Sequence, residues 1–110
     1  MANTFKLKTK ANVGVTTVGI YTAPAATTTV VIGITMANTS GSGVNVGVAV
    51  SRTSDTQVDI SLLKNAPIPQ GSSLEFMGGN KIVLETNDQI NVDSDTNNSV
   101  DAALTIMEIT

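Results

Sequence analysis

The chain has no cysteine, no histidine and no tryptophan, and its rings are limited to one tyrosine and two phenylalanines. Without histidine the commonest general base and metal ligand is missing, and without cysteine the readiest nucleophile and soft metal ligand is missing. We therefore expect no enzyme: no catalytic residue, no metal site and no cofactor. The lack of cysteine also removes any disulfide framework, so stability must come from packing and association. Charge is scarce as well. Only 14% of residues are Asp, Glu, Lys or Arg, against about 25% in an average domain, and Thr, Ser, Asn and Gly fill the polar positions. Such a surface suits contact with other protein, because few charges are desolvated when it is covered. The net charge of -3 argues against nucleic acid as a partner. The most apolar run, Val30 to Ile34, is far short of the roughly 20 residues that span a bilayer. Met1 to Lys10 interleaves lysines with apolar residues where a signal peptide would be continuously apolar. The expectation is a protein with no membrane association.

What the sequence does have is alternation. Val44, Val46, Val48 and Val50 recur at every second position, the spacing of a strand with one face on a core. Thr4 to Thr9 places Phe5 and Leu7 on one face and Lys6 and Lys8 on the other, with Lys10 continuing the basic face. Val13 to Tyr21 reads as a strand carrying Val18 and Ile20, stopped by Ala23-Pro24-Ala25. Thr28 to Asn38 sets Val30, Ile32, Ile34 and Met36 on one face and Val31, Gly33, Thr35 and Ala37 on the other, a pattern for a strand covered on both sides. Asn38-Thr39-Ser40-Gly41-Ser42-Gly43 is a turn signal that predicts a hairpin to the valine strand. Val58, Ile60 and Leu62 form a further strand, broken by Pro67 and Pro69. Leu74 and Phe76, a Gly78-Gly79-Asn80 hairpin turn, Ile82 to Leu84, and Ile90 with Val92 follow. The last strand carries Val100, Ala102, Leu104 and Ile106 on one face and Ala103, Met107 and Ile109 on the other. No segment keeps helical spacing. These turn-separated runs predict an all-β fold, one antiparallel β-sandwich of jelly-roll or Ig-like type with about seven to nine short strands, filling residues 1–110 as a single domain.

Candidate chemistry is thin. Asp93, Asp95, Asn97 and Asp101 have spacings like those of a calcium loop, but Asn98 stands where the bend glycine belongs and Leu104 where the bidentate glutamate belongs. The stretch reads as a solvated loop. Asp55 and Asp59 could pair as carboxylates, yet nothing marks a cleft around them, and they read as surface. Gly78-Gly79 lacks the Gly-Lys-Ser/Thr ending of a phosphate loop. Lys6, Lys8 and Lys10 form the one cluster of positive charge. They suit either docking on an acidic protein surface or protection of an edge strand.

The order of motifs resembles small virion structural proteins of tailed bacteriophages, of the marine cyanophage type. The resemblance lies in Tyr21-Thr22-Ala23-Pro24, Thr28-Thr29-Val30-Val31-Ile32-Gly33-Ile34, Ala37-Asn38-Thr39-Ser40-Gly41, Ala66-Pro67-Ile68-Pro69-Gln70-Gly71-Ser72-Ser73-Leu74-Glu75, Lys81-Ile82-Val83-Leu84-Glu85 and Asn87-Asp88-Gln89-Ile90. It spans most of the chain. It implies a noncatalytic particle component: a capsid decoration or cement protein, or else a neck, collar or tail-fibre part. The implied partners are other copies, in a trimer or ring, and the major capsid or other virion proteins. The implied location is the virion, assembled in the host bacterial cytoplasm. The expected protein-contact residues are Phe5, Lys6, Lys8 and Lys10 at the N-terminus, Pro67, Ile68 and Pro69 in a loop, and Met107 and Ile109 in the last strand. A carbohydrate- or receptor-binding sandwich is the alternative. Its weakness is the shortage of rings for sugar stacking.

Overall fold

Nested antiparallel pairing organises the chain in the computed structural model, which describes residues 2–52, 59–76 and 81–110. The strands are β1 (Asn3–Val13), β2 (Val18–Thr22), β3 (Thr28–Asn38), β4 (Val44–Ser51), β5 (Ile60–Ile68), β6 (Ser73–Phe76), β7 (Ile82–Leu84), β8 (Gln89–Ser94) and β9 (Val100–Ile109). β1 pairs with β9, β2 with β8, β3 with both β6 and β7, and β4 with β5, so the chain forms one long ribbon doubled back on itself. Wrapping that ribbon deals its pairs alternately into two sheets. Sheet A runs β1-β9-β3-β6, with β7 also on β3, and sheet B runs β2-β8-β4-β5. With β6 and β7 counted as one interrupted edge strand, this is the eight-stranded jelly-roll order, the first of the two sandwich types that the sequence allowed.

The core lies between the sheets where the alternation points. Val44, Val46, Val48 and Val50 are 3%, 1%, 2% and 3% exposed, so every second residue of β4 is out of water. From the opposite sheet, Val100, Ala102, Leu104 and Ile106 of β9 meet them in the same cluster. Each fully buried Val, Leu or Ile contributes about 1.5–3 kcal/mol relative to an exposed one. The two strands with the clearest period-two pattern thus supply the centre of both layers.

Several features of the fold correct the pattern read from the sequence. The register of β3 against β9 shifts between Val31 and Gly33, leaving Ile32 as the extra residue of a β-bulge. Val31, Ile34 and Met36 therefore face the core, while Val30 turns outward and is half-buried. The turn from Asn38 to Gly43 does not close a hairpin, because β3 belongs to sheet A and β4 to sheet B. Asn38, buried, holds this arch: its Nδ2 donates to the carbonyls of Ser42 (2.8 Å) and Ile68 (2.9 Å), and its Oδ1 accepts from the Ser40 amide (2.9 Å). Its side chain supplies the hydrogen bonds that a hairpin ladder would have made.

The third correction is that Pro67 does not break a strand. β5 continues to Ile68 because it is the edge of sheet B, where one side of the ladder needs no donor. Fourth, β6 and β7 lie end to end along β3, Phe76 facing Ile34 and Ile82 facing Val31, so they run in line and do not form a hairpin. Gly78 and Gly79 themselves lie outside the described residues, as do Asp55 and Val58. The single strand expected from Val13 to Tyr21 is divided between the end of β1 and β2.

Among the described residues, left-handed backbone falls on residues that tolerate it, with one exception. Asn12, Asn65, Asn87 and Asn98 have φ of 57°, 54°, 72° and 51°, and asparagine visits this region readily. Ala26 sits at φ 55° in the turn before β3 without that help. Left-handed alanine costs about 1–2 kcal/mol, and glycine loses about 0.5–1 kcal/mol more conformational entropy on folding. Ala26→Gly should therefore raise the thermal midpoint by a few degrees in calorimetry. A lower midpoint would show that this turn carries no backbone strain.

Candidate docking surface

The outer face of sheet A carries an apolar row that crosses four strands. Phe5 of β1 faces Met107 of β9, Met107 faces Val30 of β3, and Val30 faces Val83 of β7. Phe5 and Val83 are 69% and 56% exposed, and Leu7, two residues along β1, is 63% exposed. On either side lie the rows Leu7, Thr105, Gly33 and Asn3, Ile109, Thr28. No charged residue falls in these three rows. Further along, the face becomes small and polar through Thr9, Ala103 and Thr35, with charge at Glu75 and Asp101, and the exposed Lys81 and Glu85 stand two residues either side of Val83 at the sheet margin. The outcome is an uncharged apolar strip at the end of the sandwich where the termini meet. There the backbones of Ala2 and Thr110 exchange hydrogen bonds of 3.0 and 2.9 Å.

The reason this face is apolar is an inversion of β1. Its register sets Lys6 opposite Ile106, Lys8 opposite Leu104 and Lys10 opposite Ala102, so the lysines share the core-facing side of β9 and Phe5 and Leu7 point outward. Inward-pointing charge at the margin of a sheet blocks indiscriminate edge pairing. Lys6 is neutralised there. Its Nζ is 2.8 Å from Oε1 of Glu108, a buried carboxylate at the inward position that follows Ile106. Tyr21 reaches across from sheet B and donates its hydroxyl to Glu108 Oε2 at 2.6 Å. That phenol proton being used, Thr29 donates to the Tyr21 oxygen at 2.7 Å. The network joins β1, β9, β3 and β2, and so ties both sheets and the edge strand together.

These partners shift both acids in a mutually consistent way. The hydrogen bond from Lys6, and then that from Tyr21, hold the Glu108 carboxyl below the usual glutamate value. Burial, and then the Glu108 carboxylate, push the Tyr21 hydroxyl up to about 12. A depressed carboxyl adds stability above its unfolded pKa that is lost as pH falls through the folded one. The midpoint should thus drop in acid below the ordinary glutamate value of 4.5, and Glu108→Gln should remove part of that dependence. A raised phenol gives the opposite sign: its stability is complete below 10.0 and is lost as pH rises toward about 12. Tyr21→Phe, by stranding Glu108 and Thr29, should cost about 1–3 kcal/mol and abolish the alkaline loss. Melting curves across pH check both, and superimposable profiles of wild type and variants would refute the linkage.

The structure separates the expected contact residues into three places. Phe5, Met107 and Ile109 share the outer face of sheet A; Lys6, Lys8 and Lys10 lie on its inner side. Ile68 is 1% exposed and is corrected from a loop contact to a core residue, because β5 extends through it. Pro67 remains exposed in that edge strand, and Pro69 is exposed in the turn beyond it. Leu7, Val30 and Val83 lie on the same outer face and are not among the contact residues expected from the sequence. Val30 was hidden by the bulge, which no local pattern announces. Glu108 is likewise not among them, although the period of Val100, Ala102, Leu104 and Ile106 reaches it directly.

The Asp93 to Asp101 carboxylates serve separate partners. Asp93 accepts from Thr17 Oγ1 (3.2 Å), Asp95 from the Asn45 amide (3.1 Å), and Asp101 from the Asn12 amide (3.0 Å). Among the described residues no group of three or more acidic side chains is placed to hold a metal ion. The outer face of sheet B holds a polar cleft of about 290 Å³ lined by Gly47, Asp59, Asn65, Asn91 and Asp93. No aromatic side chain lines it. A Cβ at Gly47 would stand 2.6 Å from Asp93 Oδ1, so any larger residue in this cleft displaces that carboxylate.

No protein-family model matches the chain, and no curated protein matches it. Among solved structures it is similar to a chain of the Bacillus endospore appendages, a family of disulfide-linked pili, at a TM-score of 0.58 and 11% identity, over 99% of this chain and 87% of that one. It is also similar to a chain of the IBDV viral particle, at a TM-score of 0.58 and 12% identity, covering 96% of this chain but only 30% of that one. At such identities the likeness is one of fold: this chain shares its β-sandwich with subunits of a pilus and of a virus particle.

Proposed function

We propose that the chain is a noncatalytic virion structural protein of a tailed phage, a capsid decoration or cement protein that stabilises the particle through protein contacts. The observation that carries this reading is the uncharged row Phe5, Met107, Val30 and Val83 across the outer face of sheet A. A contiguous apolar strip with exposed members is characteristic of a face that other protein covers. The fold likeness to two assembly subunits supports the reading by analogy. Its partners would be copies of itself and the major capsid or another virion protein, and its place the particle assembled in the bacterial cytoplasm.

The mechanism is mechanical. Each bound copy adds contacts that exist only while neighbouring shell subunits stay together, so binding opposes their separation by mass action. A trimer or ring multiplies weak contacts through effective concentration. The carbohydrate-binding alternative has two grooves to use: the sheet B cleft, lined by amides and carboxylates with no ring, and a groove of about 410 Å³ on sheet A lined by Thr35, Glu75, Phe76 and Thr105, with a single ring to stack on a sugar. Rebinding to particles depleted of the protein tests the proposal. Wild type should rebind, and Val83→Asp should rebind at least tenfold more weakly with an unchanged thermal midpoint, since Val83 is already exposed to water. Equal rebinding by the variant would dismiss this face as the contact.

A further inference from the structure

We propose that β1 is an exchangeable strand: residues 2–10 of one copy leave their own β9 and pair with β9 of a second copy. The inference rests on the assembly reading above and names the segment that joins the copies. Three observations carry it.

The first is how little of β1 the core holds. Residues 3–12 are exposed throughout except for the half-buried Lys8, and only Val13 at the far end is buried. Phe5 and Leu7 point outward, so detaching the strand withdraws no large apolar side chain from between the sheets. The second is what does hold it. Among the described residues β1 pairs with β9 alone, through the ladder from Asn3 opposite Ile109 to Lys10 opposite Ala102. At the hinge the Asn12 amide donates to Asp101 (3.0 Å), and the Ala2 and Thr110 backbone pair and the Lys6 to Glu108 ion pair complete the attachment. All of these are contacts that the β1 of an identical chain would reproduce in full. A vacated β9 would leave Leu104 and Ile106 under-covered at the edge and Glu108 without its cation, so it favours a strand that sets a lysine opposite Ile106, within reach of Glu108. A second copy has that strand.

The third observation is a hinge at the boundary of the exchanged segment. The ladder shifts register between Lys10 and Val13, and Asn12 within that shift has φ 57°. Beyond it the chain is anchored, with the Val13 carbonyl accepting from Ser99 (3.0 Å) and the Gly14 carbonyl from Ser94 (2.9 Å). A change of Asn12 to extended backbone redirects everything before it and leaves everything after it in place. Exchange of an identical element costs few contacts, and unreciprocated exchange closes rings or extends chains.

The absence of native cysteine permits a direct test. Leu7 and Thr105 face each other on the outer side of β1 and β9, so Leu7→Cys with Thr105→Cys can lock β1 to its own chain when oxidised at high dilution. The locked protein should remain monomeric in sedimentation at concentrations where wild type and the reduced variant assemble. The reduced variant, oxidised after assembly, should run as covalent multimers on a non-reducing denaturing gel. A circular permutant joining Thr110 to Ala2 through a short glycine link and opened between Val15 and Thr16 ties β1 to β9 without a disulfide, and should also stay monomeric. Assembly of the locked or permuted chain as readily as wild type overturns strand exchange and leaves the assembly reading standing. Multimers that yield only internally bridged monomers after oxidation do the same. A wild-type chain that never associates overturns both.

Discussion

Val46→Asp will not fold. Val46 is 1% exposed, stands opposite Ser94 and Ala66 in the centre of sheet B, and belongs to the apolar cluster shared with β9. A carboxyl placed there is surrounded by the apolar side chains of that cluster. It must enter either charged, at a cost far above what the fold holds in reserve, or protonated and short of hydrogen bonds at several kcal/mol. Domains of this size are stable by about 5–15 kcal/mol, so either state removes most of that margin. Asn45→Lys, one residue away on the exposed side of the same strand, should stay within about 0.5 kcal/mol of wild type. Circular dichroism of the two variants reads the result: a disordered Val46→Asp beside a native Asn45→Lys. A Val46→Asp protein that melts at the wild-type temperature would mean that the inward face of β4 is misassigned.

Asp88→Ala should produce the second largest loss. Asp88 is fully buried, and its Oδ2 accepts both Arg52 Nε (2.8 Å) and the Glu85 amide (3.0 Å). Its backbone is engaged too, since the Asp88 carbonyl accepts from Ala23 and its amide donates to Glu85. One carboxylate therefore fixes the turn between β7 and β8 and docks the end of β4 on it. Breaking a buried ion pair from one side costs about 3–5 kcal/mol. Arg52 is partly exposed and keeps Glu85 at 2.7 Å, which lowers the expectation to about 2–4 kcal/mol. Asp88→Asn keeps an acceptor for the Glu85 amide and should lose less. Urea titrations would order the three proteins; equal midpoints for Asp88→Ala and wild type would show that the turn is held by its backbone alone.

The parts of the fold that could be read from sequence are those governed by local alternation. β4 and β9 put the expected side chains inward because a strand has only two faces and each apolar set occupies one. The parts that could not be read depend on partners remote in the chain. At Ile32 one extra residue exchanges the faces of the first half of β3, an event determined by its register with β9. At Asn38 the turn composition suited a hairpin, but the side chain bonds Ile68, 30 residues away, and sends the chain to the other sheet. In β1 the two faces could be read from the alternation, but which of them turns inward depends on Glu108, which admits Lys6 across the ladder. The candidate surface shows the same division. Phe5, Met107 and Ile109 come together because β1 and β9 pair, whereas Val83 joins them only through β3.

Sedimentation velocity on the purified wild-type protein up to high micromolar concentration, alone and mixed with particles depleted of it, reads whether the chain associates through the open side and edge of sheet A. A discrete oligomer, a trimer or a larger ring, and co-sedimentation with the depleted particles are expected. A strict monomer at every concentration that also leaves the particles bare would rule out association as its mode of action.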